Sequence, residues 1–294
     1  MNRSNFLQLL SMAALLKPFS SLAMLNEMNN HLKSSSKMPV LFLGHGSPMN
    51  AIEENEFVQG FKLMAASIPR PQAILCVSAH WETKGTFVTA MERPATIHDF
   101  GGFPDELYRV QYPAPGSTAL VQEITEQLLA KTAHQSFDWG LDHGAWSVLR
   151  HFFPMADVPV VQLSLDYNQP APYHYALAKR LSALRHKGVL IVGSGNMVHN
   201  LGKVSWQHIN TPNYAFDWTK IAQSKMLGFI QDTNHAALIN YQKQGAEFNL
   251  AIPSPEHYLP LLYVLAQQQK NEIPTFFNDK AVGGSLTMTS VLIN

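Results

Sequence analysis

Three short apolar runs in this chain each break off at a glycine- or serine-bearing turn that carries a histidine. Val40-Leu41-Phe42-Leu43 stops at Gly44-His45-Gly46-Ser47-Pro48, and Ala73-Ile74-Leu75-Cys76-Val77 stops at Ser78-Ala79-His80-Trp81. Val189-Leu190-Ile191-Val192 runs into Gly193-Ser194-Gly195-Asn196-Met197-Val198-His199-Asn200. Unbroken apolar runs of this length, bounded by turns, mark strands buried on both faces, and such strands need helices above and below them. Helical spacing occurs at 54–67 and at 117–131, where Ser117 is an N-cap candidate and Leu120, Val121, Ile124 and Leu128 share one face. Further helices are predicted at 173–185, 215–231 and 256–268, and further strands at 86–91, 158–165, 275–277 and 285–292. This alternation predicts an α/β fold: a single domain with a mostly parallel central sheet flanked by helices. In such a sheet, ligands bind in the crevice beyond the carboxyl ends of the strands.

Charge and cysteine content narrow the partners. The chain carries 21 basic and 21 acidic residues without a basic stripe, which argues against nucleic acid or an anionic membrane surface and for a small, weakly charged ligand. Its one cysteine, Cys76, permits no intrachain disulfide and reads as a small buried hydrophobe. Residues 1–37 differ from the rest. Arg3, an apolar stretch at 6–16, Lys17-Pro18 and then Ser21-Leu22-Ala23 resemble an export leader; the alternative is an amphipathic or disordered extension. The compartment is accordingly the cytoplasm or, through the leader, the periplasm. Residues 31–38 read as a linker, and nothing in the body at 38–294 approaches the ~18 consecutive apolar residues of a membrane span.

Thirteen histidines are the compositional excess. A single histidine at a strand end is usually satisfied structure. Three in matching contexts point to a shared purpose, because burying several imidazoles together is otherwise costly, and neutral imidazole is a favoured ligand of zinc, iron and copper. His45, His80 and His199 therefore point to a metal. A fourth candidate lies in Pro253-Ser254-Pro255-Glu256-His257-Tyr258-Leu259-Pro260, read as the opening of a helix. There Glu256 and His257 would point about 100° apart, so that only one faces the metal. His98, in the glycine-rich loop 96–104, and His143, at the start of a helical stretch, are either site residues or loop packing and capping. His31, His134, His151, His174, His186, His208 and His235 have no supporting context and read as structural or exposed.

Taken together, Gly44-His45-Gly46-Ser47-Pro48, Ser78-Ala79-His80-Trp81, His98-Asp99-Phe100-Gly101-Gly102-Phe103-Pro104, Asp142-His143-Gly144-Ala145-Trp146, Gly195-Asn196-Met197-Val198-His199-Asn200 and Pro255-Glu256-His257-Tyr258-Leu259-Pro260 resemble the class III extradiol ring-cleaving dioxygenases, in the 4,5-DOPA dioxygenase branch. The resemblance runs in order from about Met38 to Ile293. It implies one divalent metal ion at His45, His80 and His257, ferrous iron for activity or zinc as bound, with His199 as a fourth ligand or as the acid–base residue. It also implies that a catechol and dioxygen are the substrates, with 4,5-cleavage of L-DOPA as the expected reaction, and gives His143 a supporting role as a hydrogen-bond donor. Better-known relatives use two histidines and a glutamate, which would make Glu256 rather than His257 the ligand. Trp81, Phe100, Phe103 and Trp146 are candidates to line an aromatic-sized pocket. The competing readings are a zinc-dependent hydrolase on the same scaffold and a non-enzymatic metal- or partner-binding module.

Overall fold

The apolar runs are strands with no exposed face. In the computed structural model, which describes residues 32–294, the central sheet consists of β1 (Val40–Gly44), β2 (Ala73–Ser78), β3 (Val160–Gln162), β4 (Val189–Gly195), β5 (Pro274–Phe277) and β6 (Ser290–Ile293). Every residue of β1, β2 and β4 is buried. The strand order is β3-β2-β4-β1-β6-β5. The first four are mutually parallel, while β6 pairs antiparallel with β1 and β5 antiparallel with β6.

Alternate side chains along these strands serve the two faces, as the period of 2 demands. Leu41, Leu43, Ile74, Cys76 and Val192 pack in one cluster with Phe61 of helix α1 (Glu56–Ala65) and Trp146 and Leu149 of helix α2 (His143–Phe152). Each such fully buried side chain contributes roughly 1.5–3 kcal/mol. Helix α3 (Ala171–Lys179) precedes β4, and helix α4 (Asp217–Gln231) follows it. Helix α5 (Leu259–Leu265) lies against β4, β1 and α3. The register is what matters for function. Gly44 pairs with Gly195 and Ser78 with Ser194, so the three predicted histidine-bearing turns leave the sheet side by side.

Several elements depart from the expected boundaries. The strand read at 86–91 is Thr86–Thr89 and lies outside the six-stranded sheet, pairing in parallel with Ala133–Ser136, which is too polar to read as a strand. The strand at 158–165 is split, because the Ser164 hydroxyl takes over bonding to Thr83 and to the amide of Phe87. Helix 117–131 is α-helical only over Thr118–Gln122 and then widens into a π-turn over Glu123–Leu128, with Leu129 N donating to Ile124 O. Helix 173–185 runs Ala171–Lys179 and is followed by a tight 3-10 segment, Ser182–Lys187, closed by Gly188 at φ 68°. The strand at 285–292 is divided into Leu286–Thr287 and β6. Cys76 is buried, as read. Among the described residues no helix is long and apolar enough to cross a membrane. The leader or extension read at 1–37 falls, through residue 31, outside the described residues.

Candidate metal centre

Beyond the carboxyl ends of β1, β2 and β4, five imidazoles pack against one another. His45 directly follows β1 and its amide donates to Gly195 O; His80 lies two residues past β2, with Ala79 N donating to Ser194 O. His257 comes from the turn before α5, which begins at Leu259 rather than 256 because the turn closes on Pro255 O and Pro260 suits a helix start. A Cβ on Gly195 would lie 2.1 Å from His257 O, so only glycine lets this turn reach the strand end, where Asn196 N donates to His257 O at 2.9 Å. His143 is the first residue of α2, and His199 is tied down by its amide to Ala251 O.

The ring nitrogens of His45, His80 and His257 lie within 4.8 Å of one another. His45 Nε2 and His80 Nε2 are 3.2 Å apart. Each outer nitrogen meets a partner. His45 Nδ1 is 3.0 Å from Ser194 Oγ, and that hydroxyl sits 2.5 Å from Gly144 O. The serine's single proton goes to the carbonyl, so His45 Nδ1 must be the donor and its Nε2 carries a lone pair. His257 Nδ1 faces Glu256 Oε1 at 3.3 Å, and His80 Nδ1 faces Asp99 Oδ2 at 3.6 Å. Carboxylates accept only, which favours protons on both outer nitrogens and lone pairs turned inward.

Burial, and then the neighbouring imidazoles, hold His45 well below the ordinary histidine range and bring His80 to about 2. Both rings are neutral at physiological pH. Lone pairs facing each other at 3.2 Å repel unless a cation lies between them, and two nitrogens bound to one ion at about 2.1 Å stand roughly 3.0–3.4 Å apart. The donor set therefore fits a divalent metal ion.

Glu256 is not in this trio; it falls with His199 and His257 in a second group whose ligand atoms also lie within 4.8 Å of one another. Burial raises its carboxyl, but the bonds from His257, its own backbone and Ser254 outweigh this and hold it at about 2. Asp99 behaves alike: burial raises it, and the bonds from His143 bring it below the usual range. Two anions thus stand outside the trio, Glu256 3.3 Å from His257 Nδ1 and Asp99 3.6 Å from His80 Nδ1, matching the charge of a divalent ion.

The other predicted residues divide. His199 is outside the trio; it stacks on His257 with ring centroids 3.6 Å apart and groups with Glu256. Burial, and then His257, bring it to about 3 rather than the ordinary imidazole value. His143 donates from its amide to Asp99 Oδ1 at 2.8 Å, and its Nδ1 meets Asp99 Oδ2 at 2.9 Å. His98 is loop packing: its Nε2 donates to Val110 O, and its ring rests on Phe100, Tyr108 and Trp146. Of the aromatic candidates, Phe100 meets His143 edge-on at 5.5 Å with Phe103 behind it, whereas Trp146 is core and Trp81 stacks on Trp139.

Sequence reasoning missed Ser194 and Asp99. A serine between glycines at the end of an apolar strand was a signal for Ser194. Asp99 lies 44 residues from its partner and had none. It also missed Asp142, whose buried carboxylate caps α2 at Ala145 N while accepting from Ser78 Oγ and Gln162 Nε2, so locking the ends of β2 and β3 to the helix that carries His143.

Residues 38–283 match the family described as the catalytic LigB subunit of aromatic ring-opening dioxygenase. The chain is 46% identical over 270 residues to the 4,5-DOPA dioxygenase extradiol of Escherichia coli K12, covering 89% of this chain and 97% of that one. It is 34% identical over 266 residues to the protein of the same name from Beta vulgaris, covering 85% and 94%. Among solved structures, an uncharacterized protein of Escherichia coli K12 superposes with a TM-score of 0.73 at 40% identity, over 88% of this chain and all of that one.

Proposed function

This chain belongs to the LigB family of aromatic ring-opening dioxygenases and is an extradiol ring-cleaving enzyme, and on that footing we propose that it opens L-DOPA or a closely related catechol at the 4,5 bond, using a ferrous ion held by His45, His80 and His257. The observation that carries the ligand assignment is the convergence of three ring nitrogens within 4.8 Å, with Ser194, Asp99 and Glu256 at their outer nitrogens. The metal, when bound, would supply Lewis acidity for the diol and a site for dioxygen beside it. Zinc suits the same nitrogens, but it has no redox chemistry to offer dioxygen.

The chain's own residues handle the protons and exclude water. His199, neutral and buried beside His257, is the general base for a diol hydroxyl and the acid for the opening ring. The low proton affinity of its ring is offset in part by Glu256, whose charge favours the protonated form. His143 makes the supporting hydrogen bond. The donor role expected from the resemblance is revised: with Nδ1 donating to Asp99, the ring's free nitrogen, Nε2, accepts. Phe100, edge-on to His143, supplies an apolar wall on which an aromatic ring can lie.

The test is anaerobic loading with ferrous iron, then oxygen and a panel of catechols that includes L-DOPA. One dioxygen consumed per yellow ring-opened product is expected, with the rate reduced about 10²–10⁴-fold in His199→Ala. Failure to open any catechol, or cleavage between the two hydroxyl-bearing carbons, overturns the reading.

A further inference from the structure

Asp99 touches more of the centre than any sequence motif predicts. It sits in the loop 96–104, yet the stretch leading into the acid is pinned at three successive points. Ile97 N donates to Leu141 O at 2.7 Å, Leu141 N donates to Ala95 O at 2.8 Å, and Trp146 Nε1 donates to Ile97 O at 2.8 Å. Immediately before the acid, His98 is anchored to Val110 O. The carboxylate is therefore held against the first turn of α2 by backbone contacts that do not involve it. There it meets both hydrogen-bonding groups of one residue, the His143 amide at Oδ1 and the His143 Nδ1 at Oδ2, and also faces His80 Nδ1.

We infer that Asp99 is a positioning residue for ring cleavage: it fixes the tautomer of His143 and, through the same oxygen, the orientation of the metal ligand His80. The inference rests on the role given to His143 above. A carboxylate can only accept, so His143 Nδ1 at 2.9 Å must carry a proton, and a proton on His80 Nδ1 at 3.6 Å is favoured by the same charge. His143 then offers substrate one lone pair at Nε2, and if that nitrogen takes a proton the balancing charge is already in contact. Behind His80 the acid is the outer partner that metal-bound histidines commonly have, which orients the ring and raises its basicity.

A plainer role is available. Asp99 Oδ1 satisfies an amide at the start of α2, which is what a helix cap does, and as caps Asp and Asn are equivalent. Asp99→Asn separates the two. The His143 amide still needs an acceptor, so the side-chain oxygen of Asn stays there and its NH2 is turned toward Nδ1. A donor now faces that nitrogen, and the proton must move to Nε2. The variant keeps the cap and inverts the tautomer.

For Asp99→Asn loaded with ferrous iron, kcat is expected to fall about 10²–10⁴-fold, the range that a positioned acid–base side chain contributes, with KM for the catechol within about threefold. Affinity for ferrous ion, measured by chelator competition without turnover, is expected to fall roughly tenfold. Histidine-selective 15N NMR of the metal-free protein should report His143 as the Nδ1–H tautomer in the wild type and as Nε2–H in the variant. A variant with kcat and tautomer unchanged reduces Asp99 to a cap and overturns the inference. Should the variant not fold, a wild-type His143 found as the Nε2–H tautomer overturns it equally. The two failures are distinguishable: a wild type that opens no catechol sinks the proposed function, whereas an active wild type beside an equally active Asp99→Asn sinks only the positioning role.

Discussion

At the amino ends of β1 and β4, Arg185 is buried with four of its five N–H donors engaged: Nε on Met38 O, Nη1 on Gln267 O and Glu272 Oε2, Nη2 on Glu272 Oε1. Lys37 adds a second cation to the same glutamate at 2.5 Å. At the carboxyl ends of the same strands, His45, His80 and His257 are also held by partners, but only at their outer nitrogens. Both ends bury polar groups at a desolvation cost. The first end pairs its charged groups with one another, leaving only Gln267 Oε1 beside them without a partner among the described residues, and so contributes to the fold. The second turns ring nitrogens inward toward one another, 3.2 Å apart at His45 and His80, and so contributes a binding site. Completeness of pairing, more than burial or charge, separates a structural polar cluster from a functional one here.

The largest expected effect breaks the complete end. Arg185→Met leaves Glu272 with Lys37 and the Gln269 amide only and strands the carbonyls of Met38 and Gln267, so chemical denaturation should register a loss of about 3–5 kcal/mol, while the metal stoichiometry of the folded fraction stays at its wild-type value. A loss under about 1 kcal/mol would mean that this network does not hold the fold. Next comes an outer partner at the open end. Glu256→Gln removes the charge behind His257, and affinity for a divalent ion should drop about 10–100-fold with little change in the stability of the metal-free protein. Unchanged affinity would make Glu256 a bystander.

The comparison is also sharpened by pH. Burial keeps His45, His80 and His199 neutral, with His151, His174 and His235 shifted the same way. The unfolded chain takes up protons near pH 6.5 that the fold refuses, so stability falls as pH drops below that value, by up to about 1.4 kcal/mol per pH unit for each such residue. Glu272, held at about 2 despite the opposing effect of burial, loses its contribution only as pH falls below about 4.5. Melting of the metal-free protein should therefore move down between about pH 7 and pH 5, before the amino-end network titrates. A flat profile across that interval would contradict the buried-neutral assignment.

Much of this was legible because it rests on local pattern. Apolar runs broken by glycine identify β1, β2 and β4, and parallel register then forces His45 and His80 to neighbouring positions. His257 was harder: two prolines move the start of α5 past it, so a helix-based geometry for Glu256 and His257 did not apply, and the family resemblance rather than spacing singled out the histidine. Asp99 was invisible for a different reason. Its function depends on a loop returning to a helix start 44 residues away, and no periodicity encodes such a contact. The strand Ala133–Ser136 escaped because its partner lies off the main sheet, where an apolar run is not required.

The central claim is that three imidazoles share one ion. Equilibrium dialysis against ferrous ion under nitrogen, for the wild type and for His45→Ala, His80→Ala and His257→Ala separately, tests it most directly. The account predicts one ion per chain in the wild type, and affinity reduced at least about 100-fold in each variant, all three remaining folded. A variant that still binds one ion with wild-type affinity would remove that histidine from the centre and contradict the account.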